Sequence, residues 1–260
     1  MKYWKVWKQL TNCAVSSYLT SRIDSTAYFI GKLIRFGFFI LLIFSIFRFT
    51  DNMAGYGKYE VLLFFLTFNL LDVASQSLLR GIYMFKNDVR RGNFDYVISK
   101  PVNSLFYSLT KLTDILDLIF LIPVIILLIF TVWKLPMAIT FPNLALYLFL
   151  VFTGLLIILG IHIISASITI WTEESENFIW LYRDTMSIGR FPPEIFSAPV
   201  QIIFTFILPI IIIVGFPVKA LLGILSWQWI VFAFFYAILF FTASLVFWRS
   251  SLKKYSSASS

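Results

Sequence analysis

The sequence predicts an all-α, polytopic membrane protein with six transmembrane helices, and its composition and apolar stretches support this fold class. Hydrophobic residues make up 60% of the 260 residues and charged residues only 13%. Soluble domains are about 45–50% apolar and about 25% charged. A helix needs about 20 apolar residues to cross a bilayer. Six apolar stretches approach or exceed this length: approximately 28–47, 60–85, 106–133, 144–170, 199–216 and 227–248. We expect these six spans to form a single domain over residues 1–260.

The segment before the first span, residues 1–24, has the pattern of a helix lying in the membrane interface. Basic residues recur every three positions beside a matching series of aromatic ones: Lys2, Lys5 and Lys8, with Trp4 and Trp7. On a helix this gives a basic face next to an apolar face, which suits contact with headgroups and acyl chains. A frayed basic tail would also explain the lysines, and the pattern does not decide between the two.

The second span carries three polar side chains at four-residue spacing, Asp72, Gln76 and Arg80, so they lie on one helix face. A carboxylate near the middle of a span is costly in hydrocarbon, so this face is expected to meet other helices or water. Two interpretations stay open. The face is either a hydrogen-bond and ion-pair ladder that holds the helices together, or a direct part of a substrate path.

The third span has two carboxylates, Asp114 and Asp117, near its start. Charged side chains inside a membrane usually pair with one another. We therefore expect ion pairs between these carboxylates and the cations predicted at the same depth, which are Lys32, Arg35 and Arg80.

Two polar stretches are predicted to lie on the cytoplasmic side, residues 86–105 and residues 171–198. Arg90 and Arg91 place the first stretch there, because short cytoplasmic loops collect Lys and Arg. The second stretch is placed there by counting spans, since its own charges give no support. Both termini are then cytoplasmic as well.

The sequence lacks the residues that metal binding and nucleotide hydrolysis usually require. Cys13 is the only cysteine and His162 the only histidine, so we expect no thiolate or histidine metal centre and no cofactor. His162 is expected to hydrogen-bond within the helix bundle, with a proton relay as the alternative. No phosphate-binding loop of the form G-x-x-x-x-G-K-[ST] occurs, so nucleotide hydrolysis is not expected of this chain. The net charge of +8 is explained by lysines and arginines beside the spans, without nucleic acid.

Two motifs and the overall layout carry a resemblance to a known family. The first motif is RRGNFDYVISKPVNSL at residues 90–105, and the second is GRFPPEIF at residues 189–196. With the N-terminal helix and six spans, the chain resembles the membrane permease subunit of type-2 ABC transporters. The likeness is to a bacterial exporter branch of unassigned substrate, and it covers nearly the whole chain.

The resemblance implies a transport subunit in the bacterial plasma membrane, paired with a second permease chain and driven by two separate ATPase subunits. It implies that residues 86–105 form a coupling helix that docks on the ATPase. The coupling residues that it suggests are Arg91, Gly92, Asp95, Lys100 and Pro101, with Arg190, Phe191 and Pro192 as secondary contacts. A chain without an ATPase motif fits such a role, and no enzymatic activity of its own is expected.

Two other classes of function are compatible with the residues. A proton-coupled secondary carrier would use the intramembrane carboxylates Asp72, Asp114 or Asp117 to carry protons. A membrane sensor or assembly scaffold would transport nothing. Transport by the purified chain alone under a pH gradient would distinguish the carrier from the ATP-driven subunit.

Overall fold

The computed structural model describes residues 2–20, 22–172 and 175–255, and in this part of the chain all long elements are helices. The twelve α-helices of the described residues are α1 (Lys2–Thr20), α2 (Arg22–Ile46), α3 (Lys58–Leu79), α4 (Ile82–Arg90), α5 (Asn93–Ser99), α6 (Ser104–Thr110), α7 (Ile115–Trp133), α8 (Phe141–Thr172), α9 (Ser175–Met186), α10 (Ala198–Ile202), α11 (Phe216–Leu221) and α12 (Trp227–Lys254). The predicted all-α class is confirmed.

Within the described ranges, five helical segments are long and apolar enough to cross a membrane: Ile23–Ile46, Lys58–Arg90, Ile115–Trp133, Phe141–Thr172 and Trp227–Lys254. A sixth candidate is a bent pair, Ala198–Ile207 and Ile211–Leu221, whose two arms meet at 87°. The prediction of a polytopic membrane protein is therefore confirmed, with five straight spans and one bent pair in place of six straight spans.

The predicted third span, 106–133, consists of two helices in the structure. Helix α6 ends at Thr110 and α7 starts after Asp114, whose side chain accepts hydrogen bonds from the backbone N–H groups of Leu116 and Asp117 at 3.0 and 3.2 Å. A carboxylate at the N-cap position satisfies donors that a helix start leaves open, so it fixes the beginning of α7 here.

The predicted fifth span, 199–216, is the bent pair and not a straight helix. Pro209 has no N–H to donate, and the residue before a proline is pushed towards extended backbone. Leu208 accordingly has φ −116° and ψ 89°, and the helix is interrupted there. The second arm then continues beyond the predicted end of the span at residue 216, to Leu221.

The second predicted cytoplasmic stretch, 171–198, begins at the same end of the bundle as the first, where Lys254 lies over the Trp171 ring, but it does not stay there. Helix α9 turns back along α8, so that the rings of Tyr182 and His162 lie 6.0 Å apart. Glu194 then accepts a hydrogen bond from Tyr56, in the loop between α2 and α3, at 3.1 Å and pairs with Lys219. We call the end of the bundle at which Glu194, Tyr56 and Lys219 meet the opposite end, and the end that holds helix α5 the α5 end. Counting spans failed here because it took the bent pair as the fifth crossing.

Both described termini lie at the α5 end. The Lys2 ammonium donates a hydrogen bond to the carbonyl of Pro101, and the Tyr255 hydroxyl donates one to Asp95 at 2.9 Å. The prediction that the two termini share a side of the membrane thus agrees with the contacts of both ends of the chain.

The position of Glu194 at the opposite end gives a labelling prediction for the nearby Ser197. In a chain whose Cys13 is replaced by serine, Ser197→Cys and Asn93→Cys are expected to react with a membrane-impermeant maleimide from opposite sides of sealed vesicles. Both side chains are exposed, so access through the aqueous phase decides the result. Labelling of the two cysteines from the same side would contradict the placement of Glu194 and its neighbour Ser197 at the opposite end.

Candidate coupling surface and intramembrane polar site

Gly92 sets the direction of the short helix α5. Its φ of 71° lies in the left-handed region, which side chains other than glycine adopt reluctantly. The turn at Gly92 ends α4 and begins α5, so the chain reverses within two residues. The motif that was predicted to form a coupling element therefore folds into a compact helix–turn–helix at one end of the bundle.

One face of α5 is packed firmly against the bundle. The Phe94 ring contacts Phe85 at 5.0 Å, Trp248 at 6.3 Å and Tyr255 at 5.2 Å between centroids. Phe94 is fully buried, and Val97 on the same face is nearly so. Aromatic pairs in this geometry contribute about 0.5–1.5 kcal/mol beyond the area they bury. Helix α5 is therefore fixed to α4 and to the end of α12.

Asp95 also helps to hold α5 against the bundle. Its carboxylate accepts the Tyr255 hydroxyl, and burial together with this carboxylate raises the pKa of Tyr255 to about 12. The phenol stays protonated at neutral pH and remains the donor. Asp95, which was predicted as a contact of the ATPase, thus also ties α5 to the C-terminal end of α12.

Away from this packed face, α5 exposes two large apolar side chains, and exposed basic residues flank the helix. Tyr96 is 70% exposed and Ile98 is 47% exposed. The predicted residues Arg91, Lys100 and Pro101 are exposed next to them. Sequence reasoning missed Tyr96 and Ile98, and helical spacing alone would not have found both, because Ile98 follows the buried Phe94 by four residues.

Helix α1 lies against this region. Besides the Lys2–Pro101 hydrogen bond, the rings of Tyr3 and Phe106 contact edge to face at 5.1 Å. Further along, Thr11 bonds to Thr113 at 3.1 Å. The predicted N-terminal helix is thus present and packs beside α6 and the start of α7.

A polar site lies between α2, α3 and α7, towards the α5 end. Lys32 pairs with Asp117, and Arg80 pairs with Asp114. The Arg80 Nη1 atom is also 3.7 Å from Asp117 Oδ2, so the four side chains form one network. Asp114 and Asp117 are buried almost completely. The expected pairing of these carboxylates with Lys32 and Arg80 is found, whereas Arg35 takes no part in it.

The predicted polar face of α3 divides into separate environments. Gln76 is buried, Arg80 follows the last residue of α3, and Asp72 is half-buried beside a cavity. His162 is fully buried in α8, where its Nδ1 lies 2.8 Å from the Ile158 carbonyl. This contact lies within α8, so it is not the predicted hydrogen bond between helices, and Nε2 has no hydrogen-bond partner among the described residues.

Arg190, Phe191 and Pro192 lie away from α5. The Arg190 guanidinium stands 5.1 Å from the ring centre of Phe39 and 5.0 Å from that of Phe68, in the middle of α2 and α3. Phe191 contacts Phe39 at 5.6 Å, and Pro192 is buried. These three residues lie inside the bundle between the two ends, and their contact with the ATPase stays a prediction.

The described residues hold no group of three or more His, Cys, Asp or Glu side chains that could bind a metal ion. A helical membrane bundle with a fixed, partly exposed end helix and paired internal charges has the features of a transport subunit. The family model for ABC-2 family transporter proteins matches residues 33–259, and the chain belongs to this family. No significant match was found among curated proteins or among solved structures.

The chain is therefore an integral membrane permease of an ABC transporter, as the two motifs indicated. ABC-2 permeases are transport subunits that work with an ABC ATPase and usually dimerise.

Proposed function

We propose that this chain forms the membrane pathway of an ATP-driven exporter, together with a second permease chain and two ATPase subunits. The exposed face of α5 is the observation that carries the proposal. It presents Tyr96 and Ile98 beside Arg91, Lys100 and Pro101, while its other face is anchored. Exposed aromatic and arginine side chains are typical of the energetic centre of protein interfaces.

The anchoring contacts give a physical route for force. A push on α5 reaches α12 through Phe94 and through the Asp95–Tyr255 hydrogen bond. It reaches α6 through Gly81 at the α3–α4 junction, whose N–H donates to the Leu109 carbonyl at 3.0 Å. Helix α5 is therefore placed to pass a movement of a bound ATPase to several spans at once.

The side of the membrane follows from the same surface. ATP is cytoplasmic, so the α5 end faces the cytoplasm, and we place the chain in a bacterial plasma membrane. Basic residues also gather at this end, on either side of α5, on α1 and at the end of α12: Arg90, Arg91, Lys100, Lys2, Lys5, Lys8, Arg249, Lys253 and Lys254. This distribution supports the orientation because cytoplasmic segments collect Lys and Arg.

The coupling surface predicts a loss of ATPase binding without a loss of folding. In the double variant Tyr96→Asp, Ile98→Asp, two exposed apolar contacts are replaced by charges. We expect ATPase co-purification in mild detergent, and transport-linked ATP hydrolysis, to fall at least tenfold, because central interface residues often contribute about 2 kcal/mol or more each. The assay is pull-down of the tagged permease with quantification of the bound ATPase.

The matched control is Phe49→Asp, which places the same charge on an 89% exposed aromatic residue at the opposite end. It should leave ATPase binding at the wild-type level. Asp95→Arg with Pro101→Gly is a less selective variant, since Asp95 also holds Tyr255. Undiminished ATPase binding by a correctly folded Tyr96→Asp, Ile98→Asp chain would remove α5 from the coupling surface.

The proton-coupled carrier remains the second candidate, and one observation favours Asp72 within it. Asp114 and Asp117 are both held by cations, whereas Asp72 lines a cavity. Substrate movement by the purified chain in liposomes under a pH gradient, abolished by Asp72→Asn, would favour the carrier. Movement that requires the ATPase and ATP would favour the exporter.

A further inference from the structure

A small cavity lies among α2, α3, the start of α7 and the turn that carries Arg190. Its volume is about 40 Å³. One water molecule needs about 10–15 Å³ of such space, so the cavity has room for a few waters or for a group the size of a carboxylate or phosphate. Its polar lining consists of Lys32, Arg35, Asn69, Asp72 and Arg190, and the rest is largely phenylalanine rings.

The charges of this lining do not balance. Three cations face one carboxylate, Asp72. Lys32 is neutralised by Asp117, but neither Arg35 nor Arg190 has a carboxylate within ion-pair distance in the part of the chain that the structure describes. Uncompensated charge inside a membrane protein is costly and marks sites of function more often than sites of support.

Aromatic rings hold Arg190 in place without neutralising it. Its guanidinium lies near the rings of Phe39 and Phe68, and Lys32 lies 4.6 Å from the ring centre of Phe120 in the same way. A guanidinium that stacks on rings keeps its in-plane N–H donors for a planar or tetrahedral anion, which it can bind in a bidentate manner. Arg35, exposed on α2, lines the same cavity.

We propose that this cavity binds the anionic head of an amphipathic molecule, with Arg190 and Arg35 as the groups that bind the phosphate or carboxylate. The apolar tail lies along the phenylalanine-lined wall of α2 and α3. That the bound molecule is the transported substrate rests on the proposed function. The anion binding itself does not, because it needs only this chain.

The test is a binding measurement on the purified chain in an uncharged detergent, dodecyl maltoside, without the ATPase. Dodecyl phosphate is titrated by isothermal calorimetry, with dodecyltrimethylammonium as a probe of the same tail and opposite charge. We expect saturable binding of dodecyl phosphate alone. Its Kd should rise at least tenfold in Arg190→Gln and in Arg35→Gln.

Arg48→Gln is the control, because it removes the same charge from an exposed arginine in the loop after α2 and should bind as the wild type does. Inorganic phosphate, titrated separately, distinguishes the two sources of the anion. Binding with the same arginine dependence supports the site and shows that a free anion suffices, whereas binding only of the tailed probe supports it and assigns a lipid-like ligand.

Equal affinity of the wild type and of Arg35→Gln for dodecyl phosphate would overturn the proposal. Arg35 is exposed, so its substitution is not expected to disturb the fold. Equal binding of the cationic probe would also overturn it. Either result would leave the coupling surface on α5 standing, since that surface is tested by ATPase pull-down.

Discussion

Gly81→Ala is expected to destabilise the permease strongly, although it adds a single methyl group. A Cβ at this position would lie 2.7 Å from the Leu109 carbonyl oxygen and closer still to that of Ser108. Both neighbours are backbone atoms and cannot rotate away. Overpacking of this kind costs about 1–3 kcal/mol, and the Gly81–Leu109 hydrogen bond of about 1 kcal/mol would be strained as well.

The measurement is the temperature at which half of the detergent-solubilised chain loses its monodisperse elution peak. Gly31→Ala is the control, since a Cβ at Gly31 meets nothing within 4 Å in the same chain. It should match or slightly exceed wild type, because alanine favours helix over glycine by about 1 kcal/mol. Equal midpoints for Gly81→Ala and Gly31→Ala would show that α3 and α6 are not in the close contact described above.

Asp114→Ala should produce the second large effect, because one side chain performs two tasks. Its carboxylate neutralises Arg80 and also caps the start of α7. Removing one partner of a buried pair costs about 3–5 kcal/mol, and losing an N-cap costs about 1 kcal/mol. We expect the same elution assay to show a midpoint far below wild type.

Asp114→Asn separates the two tasks, since asparagine is a good N-cap but carries no charge. Its midpoint should lie between those of wild type and Asp114→Ala. A second arm combines Asp114→Asn with Arg80→Met, and the double variant should be less destabilised than the sum of the two single ones. Strict additivity would mean that Arg80 and Asp114 do not interact in the membrane.

Ion pairing was the part of the site that sequence reasoning predicted best. Charges inside a membrane usually pair, so matching depths were enough to predict partners for Asp114 and Asp117 among Lys32, Arg35 and Arg80, but not which cation pairs with which carboxylate. The sequence could not show that Lys111 turns away to Asp88, because that depends on the break between α6 and α7. Which cation is left over, here Arg35, is likewise a property of the packed structure.

The errors in the predicted topology share one cause. Hydropathy treats 199–216 as a straight span, although Pro209 divides it, and every later assignment then depends on the count. Arg190 was predicted in a cytoplasmic loop before that span, whereas its guanidinium lies beside the rings of Phe39 and Phe68. The residues of the free face of α5, Tyr96 and Ile98, were missed because the family motif draws attention to its charged, glycine and proline positions.

The contacts of Glu194 and of the two termini have a further consequence for how the chain passes the bilayer. If the bent pair stays at the opposite end, the fifth passage is made by residues 175–196, of which only α9 is regular helix. Short 3₁₀ turns and two prolines form the remainder. Irregular backbone leaves N–H and C=O groups without hydrogen-bond partners, and lipid cannot provide them, so neighbouring helices must cover this segment. Five long helical spans therefore pack together with one irregular passage, and that passage is the segment whose length can change with the least loss of helical hydrogen bonds.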